Sequence, residues 1–254
     1  MRIMVDENVP YGREAFGLAG EVVTAHGRAI SHELLMDVDA LVVRSITKVN
    51  QQLLEGTPVR FAGTCTIGED HVDKAWLAEA DIAFSSAPGC NANSVAQYIA
   101  GAFIELADKH DLDLENTKLG VVGVGNVGSK VARVGAALGM TCVLNDQPLL
   151  EKTGDANYRP LDEIFDCDIV TLHVPMEKSG PHATWHLADA TFLARMKPGA
   201  ILINSSRGAV ADNAALKAAL QSGHLRGTVL DVWEGEPNLD DERHALADIA
   251  TPHI

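Results

Sequence analysis

The stretch Lys118–Asp146, KLGVVGVGNVGSKVARVGAALGMTCVLND, constrains this chain more than any other. An apolar run closes at Val121 and Val122, and Gly123, Gly125 and Gly128 follow in the pattern G-x-G-x-x-G. Val127, Val131, Val134, Ala137 and Leu138 then recur at helical spacing, and a second apolar run, Thr141 to Leu144, leads to Asp146. Strand, tight turn, helix, strand and acid in that order make a dinucleotide-binding βαβ unit. Gly123 turns without a Cβ clash, Gly125 lets the backbone approach a pyrophosphate, and Gly128 lets the helix pack on the strand. The phosphates sit on free N–H groups at the helix start, so Asn126 and Val127 join the three glycines in the cradle. Asp146 falls where a carboxylate binds both hydroxyls of an adenosine ribose. An acid there repels a 2′-phosphate, so NAD is expected rather than NADP. The bland alternative is a glycine-rich turn in some other α/β protein, and the flanking strands, helix and acid argue against it.

At 254 residues the chain holds one large domain or two ordinary ones. Its formal net charge of -15 excludes nucleic acid and anionic membranes as expected partners and says little about fold. An anionic substrate then needs local Arg, Lys or helix N-termini. Cys65, Cys90, Cys142 and Cys167 are scattered without a C-x-x-C pair, which suggests neither a metal site nor disulfides and fits a reducing cytoplasm. The opening MRIMVDENVP has no apolar signal core, and no apolar run is long enough to span a bilayer.

Short apolar runs alternate with helical patterns along the whole chain. Strands are expected at 3–5, 21–24, 40–43, 60–62 and 82–84, with helices at 11–18, 33–35, 51–54 and 71–80 between them. That alternation predicts an α/β chain with parallel sheets covered by helices on both faces. Residues 1–93 form a first unit. Asn93 or Ser94 then caps a long apolar helix, Val95 to Ala107, that opens a second unit over 94–254. Further strands are expected there at 169–172, 200–204, 228–232 and 248–250. Helices are expected at 161–165, at 189–196 and, capped by Asp212, at 213–221.

In such sheets the chemistry sits at the carboxyl ends of the strands. Those ends carry Arg44 and Ser45, then Thr64, Cys65 and Thr66, then His173, Val174 and Pro175. Ser205, Ser206 and Arg207 follow the next strand, Asp231 lies in the 228–232 strand with Glu234 and Glu236 beyond it, and Thr251, Pro252 and His253 come last. Arg207, Glu236 and His253 stand out as a set. Oxidation of a 2-hydroxy acid needs a cation to hold the carboxylate and polarise the C2 oxygen, which an Arg fork does. It needs a base for the hydroxyl proton, which His supplies near neutral pH, and a carboxylate to orient the imidazole. Seen singly, each has a bland explanation: a helix-end cation, a solvated acid, a surface histidine. His71, His173 and the other histidines read as turn, cap or satisfied core positions, without zinc-type spacing. Cys65 at a strand end raises the thought of a catalytic thiol, and the dehydrogenase context argues against it.

These residues resemble the D-isomer-specific 2-hydroxyacid dehydrogenases. The matching pieces are G-V-G-N-V-G at 123–128, K-P-G-A-I-L-I-N-S-S-R-G at 197–208, D-V-W-E-G-E-P at 231–237 and T-P-H at 251–253. The resemblance implies two similar α/β domains, a flavodoxin-like substrate domain and a Rossmann domain, with NAD in the cleft between them. It implies that Arg207, Glu236 and His253 are catalytic and that Asp231 contacts the nicotinamide carboxamide. It adds Val174, Pro175, Ser205 and Ser206 to the cofactor set. The pieces V-D-E-N-V-P at 5–10, R-S-I-T-K-V at 44–49, G-T-C-T-I-G-E-D-H-V-D at 63–73 and P-G-C-N-A-N-S-V-A at 88–96 narrow it further. They imply oxidation of C2 of 4-phospho-D-erythronate to 2-oxo-3-hydroxy-4-phosphobutanoate, a step of pyridoxal 5′-phosphate synthesis. Ser45 and Thr66 then contact the phosphorylated substrate, and Arg44 is a phosphate neighbour on charge grounds. Ile67 and Glu69 depart from the smaller or uncharged residues expected there. Family chains continue past the T-P-H histidine, so a longer parent protein with a C-terminal dimerisation domain is expected, as a homodimer. The alternatives are another D-2-hydroxyacid dehydrogenase, of phosphoglycerate or glycerate type, and a non-catalytic NAD(H)-binding protein.

Overall fold

The structure is a computed structural model and describes residues 1–66, 68–236 and 245–253. Ile67, noted above as a departure, and Pro237 lie outside the described residues. The chain divides into two compact units, Met1–Asn91 and Ala92–Ile254, two residues before the boundary expected from sequence.

The first unit carries β1 (Arg2–Asp6), α1 (Gly12–Phe16), β2 (Glu21–Ala25), β3 (Ala40–Val43), α2 (Gln51–Leu54), β4 (Phe61–Thr64), α3 (Lys74–Glu79) and β5 (Ala83–Ser85). Its five strands are all parallel in the order β2-β1-β3-β4-β5, the flavodoxin-like order. All four residues of β3 are buried, as expected of a central parallel strand covered on both faces.

The second unit opens with α4 (Ala92–His110) and continues β6 (Lys118–Val122), α5 (Gly128–Ala137), β7 (Thr141–Asn145), α6 (Gln147–Thr153), β8 (Ile169–Leu172), α7 (Ala190–Arg195), β9 (Ala200–Asn204), α8 (Asn213–Gln221), β10 (Leu225–Leu230) and β11 (Ile249–Ala250). Its parallel sheet runs β11-β10-β9-β8-β6-β7, and an isolated parallel bridge from Leu144 to Tyr158 extends it beyond β7. The strand order therefore reverses between β6 and β8, where a doubly wound sheet opens its crevice. One face is packed by Ile99, Phe103 and Leu106 of α4 with Val131 of α5. The other is packed by Phe192 and Leu193 of α7 with Leu216 of α8.

Several sequence expectations are corrected. Helix α4 starts at Ala92, so Asn93 and Ser94 lie inside its first turn rather than capping it. Strand β10 covers 225–230, so Asp231 stands just beyond a strand end instead of within the strand. The stretches at 33–35 and 161–166 are 3-10 turns rather than α-helices. Helix α6 has no counterpart among the expected elements. Asp146 caps it and Pro148 lies in its first turn, a combination that starts helices well.

Candidate active site

The strands of the second unit end level with one another. Asn145 pairs with Val122, Val122 with Leu172, Leu172 with Asn204, Asn204 with Leu230, and Leu230 with Ala250. The next residue on each strand is Asp146, Gly123, His173, Ser205, Asp231 and Thr251. Register alone thus lines up the candidate residues along the carboxyl edge of one sheet.

The glycine turn occupies the crevice end of that row. Gly123 has φ 87, and a Cβ there would meet His173 O at 2.6 Å and Val174 Cγ1 at 2.8 Å. A Cβ on Gly128 would run into the Gly123 carbonyl oxygen and approach Val121 Cγ1 at 3.3 Å. At Gly125 a Cβ would meet nothing within 4 Å, so the space beside it is open to a ligand. No side chain caps α5: Val127 holds the N-cap position in αR conformation, and Asn126 before it is exposed. That open, uncapped turn fits a dinucleotide pyrophosphate. Asp146 is clamped from two sides: Oδ2 accepts from Val124 N at 2.8 Å and Oδ1 from Leu149 N at 3.0 Å. Each oxygen keeps a lone pair for a ribose hydroxyl.

His173 lies 2.9 Å by Nε2 from Thr171 Oγ1 and 3.5 Å by Nδ1 from Ser205 Oγ. Burial pushes its pKa down to about 3, so the imidazole is neutral. Its carbonyl backs the Gly123 turn, a contact the sequence does not announce. Ser206 is buried, and both its N–H and its hydroxyl donate to Asn204 Oδ1, at 3.1 and 2.9 Å, so it shapes the loop from within. Pro175 offers its carbonyl to the Thr184 hydroxyl at 2.5 Å, and Val174 packs against one face's core.

At the other end of the row Glu236 and His253 meet. His253 Nδ1 lies 2.9 Å from Glu236 Oε2, and Glu236 Oε1 accepts the Trp233 N–H at 2.6 Å. A carboxylate only accepts, so Nδ1 carries the proton and Nε2 keeps its lone pair. The Glu236 bond raises the His253 pKa above its ordinary value, against the effects of burial and of Arg207; the Glu236 charge and Asp231 add to the rise. Burial pushes Glu236 up, but its bonds to His253 and Trp233 and the positive charges of His253 and Arg207 hold it below the usual carboxylate value. Arg207 therefore lies within electrostatic reach of both. Its Nη1 donates to Ser206 O at 2.7 Å. A Cβ on Gly208 would run into the Trp233–Glu234 backbone, so the Arg207 loop and the Glu236 loop pack together only through that glycine. His186 adds a brace: its Nε2 is 2.7 Å from Glu234 Oε1 and its Nδ1 is 3.5 Å from Asp212 Oδ2.

In the first unit Arg44 and Ser45 are exposed just after β3. Thr66 follows β4, with its hydroxyl 2.8 Å from Thr64 Oγ1, which in turn lies 3.1 Å from His71 Nε2. Glu69 is paired with Lys74 at 2.5 Å, so the unexpected acid of this loop is neutralised locally. Burial and then Cys90 raise the Cys65 pKa, which leaves a protonated thiol and no nucleophile. Among the described residues no group of three His, Cys, Asp or Glu side chains could hold a metal ion, and no helix is long and apolar enough to cross a membrane. Sequence reasoning places Thr251 at a strand end without giving it a role, and assigns none to Trp233 or Gly208. Gly208 has a local signal, the glycine directly after a candidate Arg; Trp233 has none.

The family model for the D-isomer specific 2-hydroxyacid dehydrogenase NAD binding domain matches residues 91–254. A protein of Salmonella paratyphi B named erythronate-4-phosphate dehydrogenase is 51% identical over 255 residues, spanning 100% of this chain and 68% of that protein. Among solved structures, D-lactate dehydrogenase from Aquifex aeolicus, complexed with NAD and lactic acid, is similar at TM-score 0.80 and 27% identity, over 100% of this chain and 88% of that one. A protein from Thermus thermophilus is similar at TM-score 0.85 and 27% identity, over 100% and 89%.

Proposed function

Because this chain belongs to the D-isomer-specific 2-hydroxyacid dehydrogenase family, we propose that it carries the NAD-dependent oxidation of 4-phospho-D-erythronate at C2. The product is 2-oxo-3-hydroxy-4-phosphobutanoate. The contact of His253 with Glu236, within reach of the Arg207 charge, carries the chemistry. The 51% identity over the whole chain to proteins named for this activity supports the substrate.

When bound, NAD supplies the acceptor for the hydride that leaves C2. Gly123, Gly125, Asn126, Val127 and Gly128 would hold its phosphates, and Asp146 its adenosine ribose. Asp231 would contact its nicotinamide carboxamide, and Val174, Pro175, Ser205 and, by shaping the loop, Ser206 would complete the cofactor set. The Arg207 guanidinium holds the substrate carboxylate and polarises the C2 oxygen. His253 Nε2 takes the C2 hydroxyl proton, and Glu236 stabilises the imidazolium that forms. In the first unit Arg44, Ser45 and Thr66 take the phosphate and hydroxyls. By the same resemblance the whole protein is a homodimer of a reducing cytoplasm and serves vitamin B6 synthesis.

The test is the appearance of NADH absorbance when the protein, NAD and 4-phospho-D-erythronate are mixed. Turnover of 3-phosphoglycerate or glycerate in its place would reassign the substrate. Binding of NADH without any turnover would make the protein a sensor of the dinucleotide.

A further inference from the structure

Thr251 is tied at four points inside the second unit. Its N–H donates to Leu230 O at 3.0 Å, and its carbonyl accepts Trp233 Nε1–H at 2.8 Å. Its hydroxyl lies 2.9 Å from the Tyr98 hydroxyl and donates to Asp231 Oδ1 at 2.7 Å. A hydroxyl has one proton, and Thr251 gives it to the carboxylate, so Tyr98 donates to Thr251. The result is a directed chain, Tyr98 to Thr251 to Asp231, in which each bond polarises the next. Burial raises the Tyr98 pKa, with Asp231 adding to the rise against the Thr251 bond, which keeps the phenol in its donor form.

Three site groups hang from this residue. Asp231, 5% exposed, is bonded to it directly. Glu236 is linked through Trp233, whose indole holds Thr251 O while its N–H holds Glu236 Oε1. His253 follows two residues later with φ 63, a left-handed conformation that costs a non-glycine residue on the order of 1–3 kcal/mol and persists only where neighbours fix it. The bonds of Thr251 on one side and Glu236 on the other are what fix it.

We propose that Thr251, backed by Tyr98, is a positioning residue for the reaction: it sets His253 and Asp231 in place against Glu236 without touching the reacting atoms. The inference rests on the proposed function for its kinetic consequence, and on the geometry of this unit alone for its structural one. Among the described residues the charged groups that act on His253 are Glu236, Asp231 and Arg207.

The test uses Thr251→Val, which keeps the shape and removes both hydroxyl bonds, Thr251→Ser, which restores them, and Tyr98→Phe. The His253 ring is titrated by NMR in the cofactor-free protein, and kcat and KM are measured for each variant. Thr251→Val is expected to bring the His253 titration back toward that of a free imidazole. It is also expected to lower kcat by about 10²-fold with little change in KM, the scale of a misplaced catalytic group. Thr251→Ser should recover both, and Tyr98→Phe should move both in the same direction by less. A wild-type titration and kcat in Thr251→Val would overturn the proposal. If Thr251→Val does not fold, Tyr98→Phe decides by the same titration, and an unmoved His253 overturns it. Absence of turnover in the unsubstituted protein would instead overturn the proposed function and leave the titration to judge Thr251.

Discussion

His253 Nδ1 stands 2.9 Å from Glu236 Oε2, and this contact joins residues 17 apart in the segments that follow β10 and β11. It fixes the sign of the pH response. The Glu236 bond raises the His253 pKa, so the ring is protonated to a higher pH than a free imidazole would be. With His253 as the proposed base, oxidation of the hydroxy acid needs the neutral ring. Its kcat/KM should therefore rise with pH through an apparent pKa above the ordinary histidine value, about 6.5. The reverse reduction needs the charged ring and should fall through the same value. In Glu236→Gln the acid limb should move to lower pH and the maximum rate should drop. A limb that stays in place would separate Glu236 from the base.

The same pair sets the stability response. A raised imidazole pKa adds stability that is fully present below the unfolded value and is lost as pH rises through the folded one. The lowered Glu236 pKa adds stability present above the unfolded carboxylate value and lost as pH falls through the folded one. Between those limits both contribute. Removing the contact with His253→Ala should therefore lower Tm most at weakly acidic pH and least well above the folded imidazole pKa. A Tm difference that does not vary with pH would show that the contact is not an ion pair in solution.

Arg207 opposes this pair at His253 and reinforces it at Glu236, since its charge lowers both pKa values. Arg207→Ala should reduce kcat/KM by about 10²- to 10⁴-fold, the range for a lost electrostatic or acid–base partner. It should also shift the acid limb to higher pH, which a merely structural loss would not do. Arg207→Lys should keep the limb and still lose rate, because an ammonium lacks the planar fork. Near-normal turnover in Arg207→Ala would remove it from the site.

Much of this is legible in the chain because it is local chemistry. The glycine turn, the strand ends and the Asp212 cap of α8 each follow from a few adjacent residues, and parallel register then carries Asp146, Gly123, His173, Ser205, Asp231 and Thr251 to one edge. Helix α6 escapes the sequence because Asp146 reads first as a ligand residue, although an acid before Gln147–Pro148 also starts helices. The bond from Tyr98 to Thr251 spans 153 residues, and no spacing rule reaches that far. His173 is placed at a strand end by the sequence, but only the fold shows it lying beside Ser205 with its carbonyl against the Gly123 turn.

The glycines separate packing from binding. An alanine Cβ at Gly128 would press on the Gly123 carbonyl, so Gly128→Ala should cost about 1–3 kcal/mol, or a Tm drop of roughly 2–4 °C per kcal/mol. At Gly125 the added methyl meets open space, so Gly125→Ala should melt like the unsubstituted protein while NADH binding, read by fluorescence, falls at least tenfold. Undiminished binding in Gly125→Ala would mean that no ligand backbone approaches there.

Asp146 does two things at once, and two substitutions separate them. It caps α6 through Leu149 N and clamps Val124 N, so Asp146→Ala should cost about 0.5–2 kcal/mol from the cap alone. Asp146→Ser keeps a capping oxygen and removes the charge, so its Tm should stay near that of the unsubstituted protein. If the carboxylate also faces the adenosine ribose, both variants should lose discrimination against NADP, because the 2′-phosphate no longer meets a negative charge. The measurement is the ratio of NADH to NADPH affinity beside Tm in each variant. A ratio unchanged in both, with only Asp146→Ala destabilised, would confine Asp146 to the cap and clamp and would place the choice of cofactor elsewhere in the crevice.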